Sequence, residues 1–386
     1  MGLKVAIVGD VPANRQGVLG GGQSTTYYLI EGMAARSEAE IHVITLDPRA
    51  KQDSSRQESG VTFYRLAIPP RFGLLTDHAV ARKRLNQLLA TIKPDVVHGI
   101  TTGAHSYAAL RAGYPAVLTI HGVQREDARY LRGLRLRLHG WLQAVRIEAW
   151  CLAHARHIIV ISPYLLDVLP EIRRANLYHI PNPVADSYFR LVPETEPGRI
   201  FCAGVISPRK RTLDALAAVA QVRKAVPNVS IRFAGAVTDP TYYRQVQRFV
   251  AEHGLQSCVS FLGALPVGPL AEEYRRAAVV LLTSQQETAP MVIAEAMAAG
   301  KAVVATRVGG VPYLVEEGST ALLTRPGAVA ETAAALERLL TDPEKCRAMG
   351  ERGREFARQH FTVEAAAAET LRVYRLVAQA AGAGPG

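Results

Sequence analysis

VVLLTSQQETAPMVIAEAMAAGKAVVAT, residues 279–306, holds a strand, a loop, a helix and a second strand in one continuous stretch. VVLL and AVVAT are short, nearly unbroken apolar runs rich in valine, as strands buried on both faces of a parallel sheet require. Between them, Pro290 suits the first turn of a helix and Gly300 the residue just past its end. The pattern extends outward in both directions. RIFCAGV (199–205), VSIRFAG (229–235), CVSFLG (258–263) and ALLT (321–324) complete a set of strands with helical spacing between them. In the first half KVAIVGD (4–10), IHVITL (41–46), VTFYRLA (61–67), DVVHG (95–99), AVLTIH (116–121) and HIIVIS (157–162) repeat the alternation, with helical patterns at 23–36, 79–92 and 104–112. The expected class is α/β, two doubly wound parallel sheets in tandem, with ligands beyond the carboxyl ends of the strands. The proline-rich stretch 186–198 reads as a linker between a first domain, 1–185, and a second, 199–361. Residues 362–381 form an Ala-rich helical tail.

Glu287 and Glu295 flank the start of the helix in this stretch, one in the loop and one within the helix. Eight positions at ~1.5 Å each put them roughly 12 Å apart along a helix, too far to act as an acid and base on one bond. The spacing suits two contacts on one long ligand, with a diphosphate at the helix N-terminus between them. The plainer alternative is two surface glutamates on an amphipathic helix.

Charge points the same way. The 386 residues carry 45 Lys and Arg against 34 Asp and Glu, a net charge of +11. Residues 1–190 hold +8 of it, which favours an anionic partner: a phosphorylated ligand, a membrane surface or nucleic acid. Arginines outnumber lysines 37 to 8, so compositional bias is a competing source of the excess. Cys151, Cys202, Cys258 and Cys346 are scattered without metal-ligand spacing, which reads as a reduced, cytoplasmic protein. No run of about 18 apolar residues is present, excluding a transmembrane helix, and the N-terminus lacks a signal-peptide pattern. There is no Walker A, G-x-S-x-G or H-E-x-x-H motif and no Asp-x-Asp, so no metal is expected.

ETAPMVIAEAMAAGKAVVAT resembles the signature of glycosyltransferase family 4, retaining enzymes of the GT-B fold that use nucleotide sugars. Other stretches agree in order: Gly20, Gly21 and Gly22, then His121–Gly122, IPNPV (180–184), AGVISPRK (203–210), VSFLG (259–263) and VGG (308–310). The resemblance implies that Glu287 contacts hydroxyls of the donor sugar and Glu295 the ribose. Main-chain N–H groups of Met291 and Val292 would meet the diphosphate, beside the Gly204 loop. Lys210 would neutralise the leaving phosphates, with the plainer alternative of a solvated helix-start lysine. His121 would lie near the reacting centre, Gly21 and Gly22 would let backbone approach a phosphate, and Ser162 and Asn182 would fall near the crevice. For those last two, cap and turn roles read equally well. The tail helix would cross back to the first domain.

Two departures bear on the site. The family usually has Gly-Arg before the lysine, but here Val205 follows Gly204, leaving Arg209 or Arg211 as the substitute cation. Pro290 stands where glycine is frequent and supplies no N–H.

The expected activity is metal-independent, retaining hexosyl transfer from a nucleoside-diphosphate sugar to a hydroxyl of a glycan, glycolipid or small molecule, as in polysaccharide biosynthesis. No cofactor is expected beyond the donor, with UDP favoured over GDP. The alternatives are a phosphorylase or nucleotide-sugar epimerase on the same architecture, or a sugar- or nucleic-acid-binding protein. No nucleic-acid motif supports the last. Finally, residues 125–156 carry seven arginines against three acidic residues, with Leu131, Leu134, Leu138, Trp141, Leu142 and Val145 at helical spacing. Arg129, Arg132, Arg135 and Arg137 are interleaved with them. This is either a helix lying on the inner face of an anionic membrane or a core helix with solvated arginines.

Overall fold

The computed structural model describes residues 2–11, 21–69, 76–130 and 133–382, and no side chain at 135. The chain divides into two units, Met1–Pro183 with Val363–Gly386, and Val184–Thr362. Gly20, Leu131 and Arg132 lie outside the described residues.

The first unit is built on β1 (Leu3–Val8), β2 (Ala39–Asp47), β3 (Ser54–Glu58), β4 (Val61–Ala67), β5 (Val96–Ile100), β6 (Ala116–Ile120), β7 (His157–Val160) and β8 (Asn176–His179). Their order in the sheet is β3-β4-β2-β1-β5-β6-β7-β8, parallel throughout except for the β3–β4 pair. Ile7 and Val43 belong to a core on one face, Ala6 and Ile44 to a core on the other, which is why these strands read as continuous apolar runs. Leu85 and Leu89 of the Ala79–Ile92 helix cover the second face. The first face is covered by the helices Gly21–Arg36 and Val363–Gly382, the latter burying Leu371, Tyr374 and Val377. Gly32 allows the close approach of these two helices, since a Cβ there would sit 2.4 Å from Val363.

The second unit contains β9 (Arg199–Ala203), β10 (Ser230–Ala234), β11 (Val259–Phe261), β12 (Val279–Leu282), β13 (Ala302–Thr306) and β14 (Ala321–Thr324). All are parallel, in the order β11-β10-β9-β12-β13-β14. Strand order reverses between β9 and β12, so the crevice of this sheet opens beyond their carboxyl ends.

The stretch read as a linker is more structured than its prolines suggest. It contains the helix Asp186–Phe189 with Tyr188 fully buried, and cations of the second unit hold the residues after that helix. Lys301 donates to the Thr195 hydroxyl at 2.9 Å, and Arg354 to the Leu191 carbonyl at 2.8 Å. Burial pushes the Lys301 ammonium down to about 8. Among the described residues no helix is long and apolar enough to cross a membrane.

Candidate active site

The strand reversal between β9 and β12 brings two loops together. After β9, Gly204 takes φ +142°, a conformation open to glycine, and the Lys210 Cε lies 3.3 Å from where its Cβ would be. Behind it, a Cβ on Gly235 would sit 2.0 Å from the Gly204 carbonyl oxygen, so two glycines fix the course of this loop. Pro208–Lys210 then forms a single tight turn, begun by the Ser207 hydroxyl accepting from the Lys210 N–H at 3.4 Å.

The loop after β12 is stitched to that turn. Thr283 donates to the carbonyls of Lys210 and Arg211 at 3.0 and 3.1 Å. The Gln285 N–H donates to the Arg209 carbonyl at 2.8 Å, and Arg209 returns a bond to the Gln286 carbonyl at 2.9 Å. The result is an ion pair across the crevice mouth. Lys210 Nζ lies 2.6 Å from Glu287 Oε1, and Arg209 lies 3.6 Å from Oε2. Burial pushes the Glu287 carboxyl up, but Lys210 and then Arg209 outweigh it and hold it below the ordinary carboxylate range. From the VGG stretch, the Gly310 N–H donates to the Glu287 carbonyl at 2.9 Å.

The two arginines beside Lys210 point to different partners. Arg209 turns toward Glu287, whereas Arg211 pairs with Asp214 on the following helix at 2.5 Å. Arg209 therefore stands with Lys210, and Arg211 does not.

Glu287 leads into the Met291–Ala298 helix, with Pro290 at the cap position. The N–H groups of the first turn have no partner within a helix by construction, so the backbone of Met291 and Val292 presents donors four and five residues beyond the ion pair. One face of this helix meets the sheet and the other the Pro343–His360 helix, which explains why all eight of its residues are buried. Glu295 is among them. Its Oε2 accepts from the Tyr274 hydroxyl at 2.7 Å, and burial pushes its carboxyl up to about 7. The expectation of a surface glutamate on an amphipathic helix fails at both positions.

Sequence reasoning missed Tyr274. It lies on the Val267–Arg276 helix, 21 residues before Glu295, and is fully buried. A tyrosine on the apolar face of a helix calls for a hydroxyl partner, which was the available signal, though it did not identify the partner.

The remaining candidates lie in the first unit. His121 follows β6, and its side chain bonds to Asn182. Burial pushes the imidazole down to about 4, so it is neutral at pH 7, and among the described residues its Nδ1 has no partner. Thr119, Asn182 and Thr370 line a small cavity beside it. A polar chain runs behind it: Tyr374 bonds His98 Nδ1 at 2.6 Å, and His98 Nε2 bonds Thr119 at 2.7 Å. Ser162 is buried, and its hydroxyl accepts from the Tyr164 N–H at 3.3 Å. Gly21 and Gly22 begin their helix, with open space where a Cβ on Gly22 would be. Among the described residues no three His, Cys, Asp or Glu side chains gather as a metal site would require.

Comparison with known proteins meets this geometry. Residues 19–188 match the glycosyltransferase family 4 domain, and residues 186–356 the glycosyl transferases group 1 domain. The chain is a two-domain glycosyltransferase. Glycogen synthase of Mycobacterium tuberculosis is 26% identical to it, over 92% of this chain and 91% of that one. Sucrose-phosphate synthase of Thermosynechococcus elongatus superimposes with TM-score 0.78 at 24% identity, covering 98% of this glycosyltransferase and all of the other chain. HepE of Anabaena, solved with UDP and glucose, superimposes with TM-score 0.72 at 18% identity over 96% and 100%. The fold of the glycosyltransferase is GT-B, and its Lys210–Glu287 pair lies within the group 1 match.

Proposed function

We propose that this glycosyltransferase moves a hexosyl group from a UDP-sugar to a hydroxyl of a glycan, glycolipid or small molecule, with retention of configuration and without a metal. The observation that carries the donor side is the Lys210–Glu287 pair at the strand reversal, with Arg209 beside it and a helix N-terminus four residues on. Two cations and backbone donors converging on one crevice supply what a diphosphate leaving group needs. Donor entry lets the phosphates take Lys210 and Arg209, and frees the Glu287 carboxylate to accept from sugar hydroxyls. Glu295, one helix turn further in, takes the ribose hydroxyls while Tyr274 holds its other side. His121 stays neutral and has a ring nitrogen with which to offer a hydrogen bond. Rate enhancement rests on positioning and on charge stabilisation of the departing diphosphate. The UDP preference draws support from HepE, whose structure holds that nucleotide.

The test is calorimetric titration of UDP, GDP and ADP in the presence of a chelator, followed by product analysis with UDP-glucose and an acceptor panel. UDP should bind most tightly, Glu295→Ala should weaken it, and Glu287→Ala should chiefly slow transfer. Binding that requires added divalent metal would refute metal independence. Nucleotide release without acceptor, or with phosphate as the only acceptor, would favour the epimerase or phosphorylase reading.

A further inference from the structure

Residues 134–154 form one helical run, Leu134–Leu142, Gln143–Glu148 and Ala149–His154, whose middle section is wound as a π-helix. Its second half is anchored: Ala144, Ile147, Cys151 and Leu152 are buried. Its first half is not. Leu134 is 83% exposed, Leu136 58%, Leu138 53%, Trp141 56% and Val145 44%. Ten large apolar side chains are exposed among the described residues, and five of them fall between 134 and 145, a density beyond ordinary scatter. Leu134, Leu138, Trp141 and Val145 recur at intervals of four, three and four, which puts them along one side of the helix. Of the apolar stripe, Leu142 is half-buried, whereas these four are not packed into a core.

Charge identifies what covers the face. The run 133–147 contains three arginines and no acidic residue. Arg137 and Arg146 project to solvent, and Arg129 precedes them. The neighbouring acids are occupied. Glu126 pairs with Arg129 at 2.8 Å, and the buried Glu148 accepts from Thr102 and from the N–H groups of Gln124 and Arg125. An apolar ridge of leucines and a tryptophan, flanked by cations and free of anions, has the chemistry of a surface that enters the headgroup region of an anionic bilayer.

We infer that the Leu134–Val145 face docks this chain peripherally on an anionic lipid bilayer. The ridge enters at headgroup depth, Trp141 sits at the interface, and the arginines meet lipid phosphates. The docked helix is anchored to the body of the first unit through its buried second half.

The experiment is co-sedimentation of the full chain with phosphatidylcholine vesicles, with and without phosphatidylglycerol, together with tryptophan emission. The chain should pellet with the anionic vesicles at low salt and be released by high salt. Emission should shift to the blue, and Trp141→Phe should remove most of that shift while binding persists. Replacing Arg137 and Arg146 with Ser should weaken partitioning about fivefold per residue, about 25-fold together. Leu134→Ser with Leu138→Ser and Trp141→Ser should abolish it while UDP affinity is unchanged. Failure to pellet with anionic vesicles at low salt would overturn the inference, as would equal binding to phosphatidylcholine alone. A lipid-free self-association that the apolar triple variant disrupts would also overturn it, assigning the face to a second copy of the chain.

Discussion

Glu295→Gln should raise stability in mild alkali and leave it nearly unchanged in mild acid. The Glu295 side chain is 7% exposed in the natural protein, and its carboxyl titrates at about 7 in the fold against an ordinary 4.5. Below the unfolded value both states hold the proton, and the group has no differential effect. Between the two values the unfolded chain has released its proton while the fold retains it, so stability falls as pH rises and levels off above the folded value. The interval from 4.5 to about 7, at 1.36 kcal/mol per pH unit, amounts to about 3 kcal/mol. Glutamine keeps an acceptor for Tyr274 and has no proton to lose. In a unit the size of Val184–Thr362 each kcal/mol moves Tm by about 2–4 °C, so that unit should melt up to ~10 °C higher in the variant near pH 8. Near pH 5 the two should agree to within about 1 kcal/mol. Urea titrations and calorimetry at matched pH values read both ends of the range. Parallel stability profiles, or a variant less stable at every pH, would refute the reasoning and place an ionised, well-satisfied carboxylate at 295.

Lys210→Ala should lower turnover about 10²-fold or more, since one preorganised charge donor is typically worth ~2.7–4 kcal/mol. A loss under about fivefold in steady-state kinetics would assign the phosphate role to Arg209. Glu287 stabilises the natural fold above its ordinary carboxylate value and loses that contribution on acidification, and Lys210→Ala should flatten this acid limb in the same melting experiments. Gly235→Ala should displace the Gly204 loop and cut transfer by about 10²-fold while the fold persists by circular dichroism, because small misplacements near the reacting groups are costly. Tyr374→Phe should leave His98 Nδ1 buried without a partner and destabilise the first unit by about 1–3 kcal/mol in urea.

Where the strands lie was legible wherever burial on both faces wrote an apolar run, as in VVLL at 279–282 and AVVAT at 302–306. β3 and β8 escaped because they sit at the edges of their sheet. SSRQE needs no apolar face there, and NLYH carries only one half-buried pair, so neither offers the periodic signal of a central strand. Within the site, the Glu287–Glu295 spacing was readable because it spans a loop after a strand and the helix that follows, whereas the role of Lys210 came from the family resemblance. Arg209 was named only as one of two substitutes, since nothing local separates it from Arg211. The backbone separates them: Arg211 takes φ +50° and its side chain pairs with the next helix. Tyr274 depends on a contact between two helices, which no local pattern encodes. The exposed ridge was ambiguous for a different reason. A stripe at helical spacing records that one face is apolar, and only the tertiary structure decides what that face meets.

The division of the chain also has a temporal consequence. The Val363–Gly382 helix supplies core residues to the first unit, yet it is translated after the whole of the intervening unit. Val184 and Thr362, the ends of the intervening unit, lie side by side, with the Val184 N–H donating to the Phe361 carbonyl at 2.8 Å. On the ribosome, therefore, the segment encoded in the middle has all its parts first. The amino-terminal sheet must wait with one face only partly covered until residues 363–382 have been made. A nascent chain stalled before residue 363 would carry one finished unit and one whose core lacks Leu371, Tyr374 and Val377, a substrate for chaperones made by gene order alone.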